Sequence, residues 1–226
     1  MIVELENIYK TYGNNNGTPY RAVLEGANLT ISNNDSIAIL GPSGCGKSTL
    51  LNIIGTLDNP SSGFVKIDNE YISGLNDFKL AEIRNRKIGF VFQLHHLLPQ
   101  LNLIENVLLP TLVIKDKTYK NSALSRAMDL LKTVGLVDKT RLYPGQLAGG
   151  ECQRIAVVRA LINKPEIILA DEPTGSLDQE SAEQIGTLLS TINKEQKVAL
   201  VIVTHSMELA AKMSTLYKLS RGKLVK

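Results

Sequence analysis

The sequence is poor in cysteine and contains no tryptophan, with 2 cysteines among its 226 residues. Cys45 and Cys152 are far apart, and neither belongs to a Cys-x-x-Cys or Cys/His pattern. This spacing argues against a disulfide framework and against a zinc site. Apolar runs such as VALVIVT (198–204) are also far shorter than the roughly 18 residues that indicate a membrane-spanning helix.

A large excess of one charge is absent as well. The chain has 25 Lys and Arg residues against 22 Asp and Glu residues, a formal net charge of +3, and no basic block of five or more. This balance does not indicate a nucleic-acid partner. The first residues, MIVELENIYK, carry charges where a secretory signal would be apolar. We therefore expect a cytoplasmic protein whose contact with a membrane would be peripheral.

The order of segment types predicts an α/β fold. Residues 1–93 consist mainly of strand-like segments, including an antiparallel pair, whereas residues 94–163 show the apolar spacing of helices. Residues 164–226 alternate strands with helices, which favours a mainly parallel sheet covered by helices on both faces. We predict one domain over 1–226, with 1–93 and 164–226 as a sheet core plus an N-terminal antiparallel part, and 94–163 as a helical subdomain.

A glycine-rich loop follows the strand SIAIL (36–40). The segment GPSGCGKS (41–48) matches G-x-x-x-x-G-K-[ST] in full and opens an amphipathic helix. Glycines let successive N–H groups curl around a phosphate, and the positive end of the helix faces the anion. We expect Lys47 to bridge the β- and γ-phosphates, Ser48 to hold Mg²⁺ and Thr49 to reach the α-phosphate. A glycine-rich turn that binds nothing is the alternative. The predicted loop residues are Gly41, Pro42, Ser43, Gly44, Cys45, Gly46, Lys47, Ser48 and Thr49.

Two acidic residues follow four apolar ones in IILADE (167–172). Asp171 and Glu172 therefore lie at the carboxyl end of a buried strand, where α/β sheets place their ligands. We expect Asp171 to hold Mg²⁺ through water and Glu172 to act as general base toward the attacking water. Two acids on an exposed loop without function are the alternative.

Two further polar residues end apolar strands. His205 follows VALVIVT, so an imidazole at this sheet edge can hydrogen-bond a γ-phosphate and the attacking water. A lone histidine is more often structural, but its place beside the acidic strand favours a catalytic role. Gln93 follows KIGFVF (87–92), and its amide can bind Mg²⁺ or orient water. It also marks the passage from the sheet to the helical insert, where nucleotide state can be coupled to movement.

Together these motifs resemble the ATPase subunits of ABC transporters. The resemblance covers nearly the whole chain, in the family's order: the phosphate loop, Gln93, LAGGE (147–151), IILADE, SLD (176–178) and His205. GFVFQLHHLLPQLNLIENVLLP (89–110) and DEPTGSLD (171–178) look most like the lipoprotein-releasing and macrolide-exporter branch. The resemblance implies the P-loop NTPase fold of ABC ATPases, ATP and Mg²⁺ as cofactors, and integral-membrane permease partners at the inner face of the cell membrane.

The resemblance also implies a role for the segment LAGGE. In ABC ATPases this signature loop binds the nucleotide held by a second copy, so two chains form a head-to-tail homodimer around two ATP molecules. Glycine N–H groups at a helix start are suited to an anion. Ala148 stands where a serine is usual, which removes one hydroxyl donor, and Glu151 replaces a more frequent glutamine. The implied trans-acting residues are Leu147, Ala148, Gly149, Gly150 and Glu151.

Three more positions are carried over by resemblance. Tyr12 stands where the family stacks an aromatic ring on adenine, with Tyr9 as a competitor. Ser176, Leu177 and Asp178 resemble the loop that crosses the dimer axis. Residues 97–99, Leu-Leu-Pro, correspond to part of the groove that receives a cytoplasmic helix of the membrane partner.

The resulting hypothesis is an ATP-hydrolysing motor subunit that dimerises with ATP and drives a membrane permease, with lipoprotein release or macrolide or peptide export as its task. The alternative is an ATPase that regulates a cell-envelope or cell-division complex. A small-metabolite kinase would explain the phosphate loop but would leave LAGGE, Gln93 and His205 without roles. A soluble family member of translation or DNA repair would usually carry two cassettes or a long coiled-coil insert, and this chain has neither.

Overall fold

The structure is a computed structural model that describes residues 2–14 and 18–226. The strands are β1 (Val3–Asn14), β2 (Thr18–Ile31), β3 (Ser36–Leu40), β4 (Ser62–Ile67), β5 (Glu70–Tyr71), β6 (Ile88–Val91), β7 (Ile167–Asp171), β8 (Ala199–Thr204), β9 (Thr215–Ser220) and β10 (Lys223–Val225). The helices are α1 (Lys47–Ile54), α2 (Asp77–Lys87), α3 (Leu103–Leu108), α4 (Lys117–Asn121), α5 (Ala123–Thr133), α6 (Gly149–Leu161), α7 (Gln179–Gln196) and α8 (Met207–Ala210).

The central sheet has the strand order β10-β9-β3-β8-β7-β6. From β9 to β6 the neighbouring strands are parallel, and only the terminal hairpin pairs β10 antiparallel to β9. All residues of β8 are buried, which accounts for its unbroken apolar sequence. The predicted mainly parallel sheet is confirmed. Because β3, β7 and β8 are neighbours, the residues that follow their carboxyl ends meet at one edge.

A second, antiparallel sheet has the order β2-β1-β4-β5. The predicted antiparallel pair is present as β1 and β2. Both strands extend into the Asn- and Gly-rich segment YGNNNGTPY (12–20). Residues 15–17 at its tip lie outside the described residues.

Three apolar clusters hold these layers together. One lies between the antiparallel sheet and one face of the central sheet, and it includes Leu50 and Ile54 of α1. Another covers the opposite face with α7 and part of α6. The third joins α3, α5 and α6. Helix α6 contributes Val157 to the second cluster and Ile155 to the third, so it links the helical segment to the sheet. The division at residues 94 and 163 stays a prediction.

Helix α2 was not predicted from the sequence. Of its 11 residues only Leu80 is buried, so it has no apolar stripe that periodicity would reveal. Its ends carry clearer signals. Asn76 accepts a hydrogen bond from the Lys79 N–H group as the N-cap, and Arg84, Arg86 and Lys87 occupy the last turn.

Within residues 2–14 and 18–226, we find no helix with both the length and the apolar character required to cross a bilayer.

Candidate nucleotide-binding site

The loop between β3 and α1 has the backbone of a phosphate cradle. Gly44 and Gly46 have φ angles of 75° and 106°, in the left-handed region that favours glycine. A Cβ atom on Gly46 would lie 2.8 Å from Cγ1 of Val23. Since α1 begins at Lys47, the N–H groups of its first turn have no partner within the helix and are directed toward this loop. The local sequence therefore builds an anion site at the carboxyl end of β3.

Lys47 is held at the inner side of the loop, with a relative exposure of 7%. Its Nζ donates to the carbonyl oxygens of Gly41 (2.8 Å) and Pro42 (3.2 Å). The same atom lies 3.5 Å from Oε1 of Glu172. The ammonium group thus connects the glycine loop with the acidic end of β7, although Lys47 and Glu172 are 125 positions apart in the sequence.

Glu172 is the most constrained side chain of the site. Its φ angle is 44°, which is uncommon for a residue other than glycine and is found preferentially at functional sites. Its Oε2 accepts hydrogen bonds from the Thr204 hydroxyl (2.9 Å) and the His205 N–H group (3.2 Å), and lies 2.9 Å from His205 Nδ1. Burial alone would raise the pKa of Glu172, but these bonds and the charge of His205 outweigh it and hold the pKa below its usual value. The carboxylate is therefore fixed and ionised.

The pKa of Asp171 is shifted upward, opposite to that of Glu172. Burial raises the pKa of Asp171, the Glu172 charge adds to the rise, and the hydrogen bond from Ser48 and the Lys47 charge only partly offset it. A partly buried carboxylate next to a serine hydroxyl is a typical oxygen pair for a hard cation. The described residues contain no cluster of three or more His, Cys, Asp or Glu side chains that could hold a metal ion by themselves. A cation bound here would take further oxygen ligands from elsewhere.

Sequence reasoning missed Thr204, the last residue of β8. It is fully buried, donates to Glu172 and accepts a hydrogen bond from the Ser206 N–H group (3.0 Å). The His205 side chain, by contrast, is 65% exposed and faces the open edge of the sheet. Thr204 thus anchors Glu172 from inside while His205 holds it from the solvent side. The sequence signal that could have revealed Thr204 is a polar residue at the end of an otherwise apolar strand.

Gln93 lies two residues beyond β6, which ends at Val91 rather than at Phe92 as predicted. Its carbonyl accepts a hydrogen bond from the Ser176 hydroxyl (2.8 Å). Its side-chain amide packs on Gly175, since a Cβ atom there would lie 3.0 Å from Gln93 Nε2. The preceding carbonyl, of Phe92, accepts from Gln153 Nε2 of α6 (2.8 Å). The exit of β6 is therefore tied both to the segment after Glu172 and to the helical part.

Tyr12 lies beside the phosphate loop. A cavity of about 350 Å³ is lined by Tyr12, Arg21, Val23, Gly44 and residues 46–49. The Tyr12 hydroxyl donates to Oδ2 of Asp58 (2.7 Å), and Lys10 Nζ lies 4.8 Å from the ring centroid. The competing Tyr9 contacts Gly26 instead.

Two residues around this ring, Asp58 and Arg21, belong to no sequence motif. Asp58 also accepts from Lys10 (2.5 Å). Burial raises the pKa of Asp58, but the hydrogen bonds from Lys10 and Tyr12 outweigh it, so the pKa is lowered. Burial of the Tyr12 hydroxyl, first among several influences, raises its pKa. Arg21 Nη2 donates to the Gly44 carbonyl (3.2 Å), which places a cation at the mouth of the cavity. Asp58 is 46 positions from Tyr12 in the sequence, and Arg21 is 23 positions from Gly44.

The segment LAGGE lies at the start of α6, which begins at Gly149. Ala148 is the N-cap residue, and its N–H group donates to Oε2 of Glu151 (2.9 Å). Glu151 also pairs with Lys139. Among the described residues, the side-chain hydrogen bonds of 147–151 go to these groups and none reaches 41–49. Ala148 and Gly149 are exposed.

The segment Ser176–Leu177–Asp178 connects several of these elements. Asp178 caps α7 by accepting from the Ser181 N–H group (2.9 Å). Leu177 packs against the cluster beneath α7 and lies next to Gly149, where an added Cβ would be 3.8 Å from its Cδ2. Ser176 holds Gln93, as described above. These contacts place the segment between the β6 exit and the start of α6.

Comparison with known proteins gives consistent matches. The profile of the ABC transporter family matches residues 24–175. The lipoprotein-releasing system ATP-binding protein LolD of Geobacter metallireducens is 44% identical over 224 residues, covering 99% of this chain and 98% of that protein. LolD of Hydrogenovibrio crunogenus is also 44% identical, over 100% of this chain and 96% of its own length. The solved dimeric structure of MJ0796, a bacterial ABC transporter cassette, superposes with a TM-score of 0.87 at 40% identity, covering 100% of this chain and 97% of that one.

Proposed function

This chain belongs to the ABC transporter family, and from that premise we propose that it is the ATP-hydrolysing subunit of a membrane complex that releases lipoproteins. Its similarity to lipoprotein-releasing relatives extends over the full length, and a related dimeric cassette has been solved in a post-hydrolysis state with ADP and Pi. The alternative task, regulation of a cell-envelope or cell-division complex by an ATPase of the same family, would use the same site.

The ATPase proposal rests on one observation: side chains that follow the ends of three neighbouring strands meet at Glu172. Lys47 comes after β3, Glu172 after β7 and His205 after β8, and Glu172 lies within 3.5 Å of both other side chains. We assign Lys47 to the phosphates of ATP and Glu172 to the attacking water. A fixed, ionised carboxylate can accept a proton from that water as the new P–O bond forms. His205 keeps the carboxylate oriented, and its exposed face can hydrogen-bond the reacting phosphate.

Magnesium is proposed as the cofactor that accompanies ATP. The Ser48 hydroxyl and the Asp171 carboxylate can both supply oxygen ligands, and Gln93 can add an amide oxygen from the neighbouring β6 exit. Mg²⁺ prefers such oxygen donors and completes its shell with water and phosphate. When bound, it would neutralise charge on the phosphates. The three protein groups would hold and orient it.

We further propose that two copies complete each site. The phosphate loop and Glu172 lie on one chain, while the N–H groups of Gly149 and Gly150 at the start of α6 serve the nucleotide of the other copy. A two-fold arrangement produces two such shared sites. Leu147 to Glu151 would form the trans wall, and Ser176 to Asp178, which touch Gly149 and Gln93, would link the two sites across the axis.

Ala148→Ser should strengthen this pairing. A serine at the N-cap can accept the Glu151 N–H group, which stabilises a helix by about 1 kcal/mol, and should raise Tm by about 2–4 °C in a chain of this size. Its hydroxyl can also donate to phosphate, so we expect the ATP-dependent dimer to be at least about fivefold tighter. Thermal unfolding without nucleotide and sedimentation with ATP measure the two effects.

Ala148→Gly is the matched control, because glycine caps helices better than alanine but brings no hydroxyl. It should raise Tm without tightening the dimer. An Ala148→Ser dimer no tighter than that of the parent chain would exclude a phosphate contact at this position.

A surface for the membrane partner is proposed in the groove between α2, β6 and α6. The groove has a volume of about 440 Å³, and its wall includes Arg159, which donates to the carbonyls of His95 and His96. It is therefore connected to the chain just after Gln93. Its lining residues are Leu57, Ala81, Arg84, Asn85, Ile88, Gly89, Phe90, Phe92, Pro110, Arg159, Ala160 and Asn163. A cytoplasmic helix of a permease fits an apolar floor with an arginine rim.

The placement corrects one expectation from the sequence. Leu97 is 7% exposed and packs in the cluster of α3, α5 and α6, so it supports the helical part from within and does not line a surface groove. Leu98 and Pro99 are exposed but lie outside the groove lining.

Purification from detergent-solubilised membranes tests the proposed task. The tagged chain should retain an integral-membrane protein, which would place it peripherally at the inner face of the membrane. Vesicles containing that complex and a labelled lipid-modified protein should release the label on addition of ATP. Retention of the partner with intact ATPase activity but no release would favour the regulatory alternative, and ATPase activity with no retained membrane protein would refute both.

A further inference from the structure

Glu151 presents a charge conflict at the start of α6. Its side chain is 16% exposed and lies within the segment that, under the proposed function, faces the phosphates of the partner's ATP. A carboxylate near a triphosphate is repelled, and like charges brought together at an interface cost several kcal/mol. The structure must therefore contain something that removes this repulsion.

Two contacts fix the Glu151 carboxylate. Oε2 accepts from the Ala148 N–H group, one residue outside the helix, and Oε1 pairs with Nζ of Lys139 in the short 3-10 turn 137–139. The ion pair with Lys139, first among the causes, and the bond from Ala148 lower the pKa of Glu151. The carboxylate is thus ionised, turned back on its own chain and matched by a cation.

The same contacts leave the helix start open. Ala148 has no side-chain acceptor, so it cannot cap the N–H groups of the first turn as serine, threonine, asparagine or aspartate would. Glu151 therefore forms only one half of a capping box, the half that accepts from the N-cap backbone. Gly149 at this helix start is exposed, whereas Gly150 is buried beside Ser181. The positive end of α6 is therefore accessible at Gly149.

We propose that Lys139 is a positioning residue for the shared ATP site: it neutralises Glu151 and fixes it against Ala148, so that the first turn of α6 can receive the phosphates of the nucleotide held by a second copy of this chain. This inference rests on the proposed dimeric function. Lys139 itself contacts no nucleotide. Its effect is on the pairing of two chains and leaves ATP binding by the phosphate loop of a single chain unchanged.

The experiment measures pairing and single-chain binding separately. All variants carry Glu172→Gln to prevent hydrolysis. Sedimentation equilibrium with saturating Mg·ATP gives the dimer dissociation constant, and a fluorescent ATP analogue at chain concentrations below that constant gives single-chain affinity. Lys139→Met should weaken the dimer about tenfold, since each dimer contains two unmatched Glu151 carboxylates, and the loss should shrink as salt screens them. Single-chain affinity should not change.

Three companion variants separate charge from local packing. Lys139→Arg keeps the cation and should preserve the dimer. Lys139→Met combined with Glu151→Gln removes both charges and should restore most of the lost affinity. Lys194→Met, at an exposed lysine in the last turn of α7, controls for net charge and should leave the dimer unchanged.

The outcomes distinguish this inference from the proposed function. If Glu172→Gln alone does not dimerise with ATP, the shared site fails and the inference fails with it. If it dimerises and Lys139→Met dimerises equally well, only the role of Lys139 is overturned. A dimer that stays weak in the double variant would show that Lys139 acts through helix structure rather than through the Glu151 charge.

Discussion

Replacing Glu172 by glutamine is expected to abolish ATP hydrolysis while leaving ATP bound, and to trap a stable dimer. The glutamine keeps the shape of the side chain and can still accept from Thr204 and His205, but it cannot take a proton from water. A positioned general base contributes about 10²–10⁴-fold to a rate, so we expect a loss within that range. Phosphate release measures hydrolysis, and size-exclusion chromatography with light scattering measures the dimer.

The control is Glu195→Gln, at an exposed glutamate near the carboxyl end of α7. It should hydrolyse ATP like the parent chain and should not accumulate as a dimer. A Glu172→Gln protein that turns over ATP at the parental rate would remove Glu172 from the mechanism. One that binds ATP but remains monomeric would contradict the shared site.

Lys47→Met is expected to weaken ATP binding by about 100-fold. The ammonium group is buried between the Gly41 and Pro42 carbonyls and Glu172, so it is already in place for the phosphates and little rotamer entropy is lost on binding. A charge-assisted contact of this kind is worth about 1.5–3 kcal/mol. Removing the cation also leaves the Glu172 carboxylate unpaired next to the phosphates, which weakens ATP binding further. Titration with a fluorescent ATP analogue measures the affinity.

Thermal unfolding without nucleotide shows whether the Lys47→Met protein remains folded, and Lys194→Met serves again as the charge control. Unchanged ATP affinity in folded Lys47→Met protein would mean that the loop binds phosphate through its N–H groups alone.

The phosphate loop and the strand-end residues could be predicted because their signals are local. The glycine spacing of 41–48 requires no knowledge of the rest of the chain, and its left-handed Gly44 and Gly46 agree with the expected loop. Asp171 and His205 were found because apolar strands of a parallel sheet end at one edge. Such reasoning identifies which residues approach each other, although it does not give the bonds between them.

The supporting residues could not be predicted because their contacts join distant parts of the chain. Asp58 reaches Tyr12 across 46 positions and Thr204 reaches Glu172 across 32, and neither belongs to a motif. Lys139 is one of many surface lysines until the fold brings it to Glu151. Helix α2 was missed for another reason: its polar sequence has no buried stripe, so only its capping residues mark it.

The shared site is tested most directly by mixing two inactive chains. Lys47→Met disables the phosphate loop. Gly149→Asp places a carboxylate at the start of α6, and the monomer has room for it, since a Cβ there would lie 3.8 Å from the nearest neighbour, Leu177 Cδ2. Each protein alone should be inactive. In an equal mixture half of the dimers contain one chain of each kind and therefore one complete site, so we expect recovery of up to about a quarter of the parental ATPase activity. Parental activity of Gly149→Asp by itself, at any chain concentration, would contradict a site built from two copies.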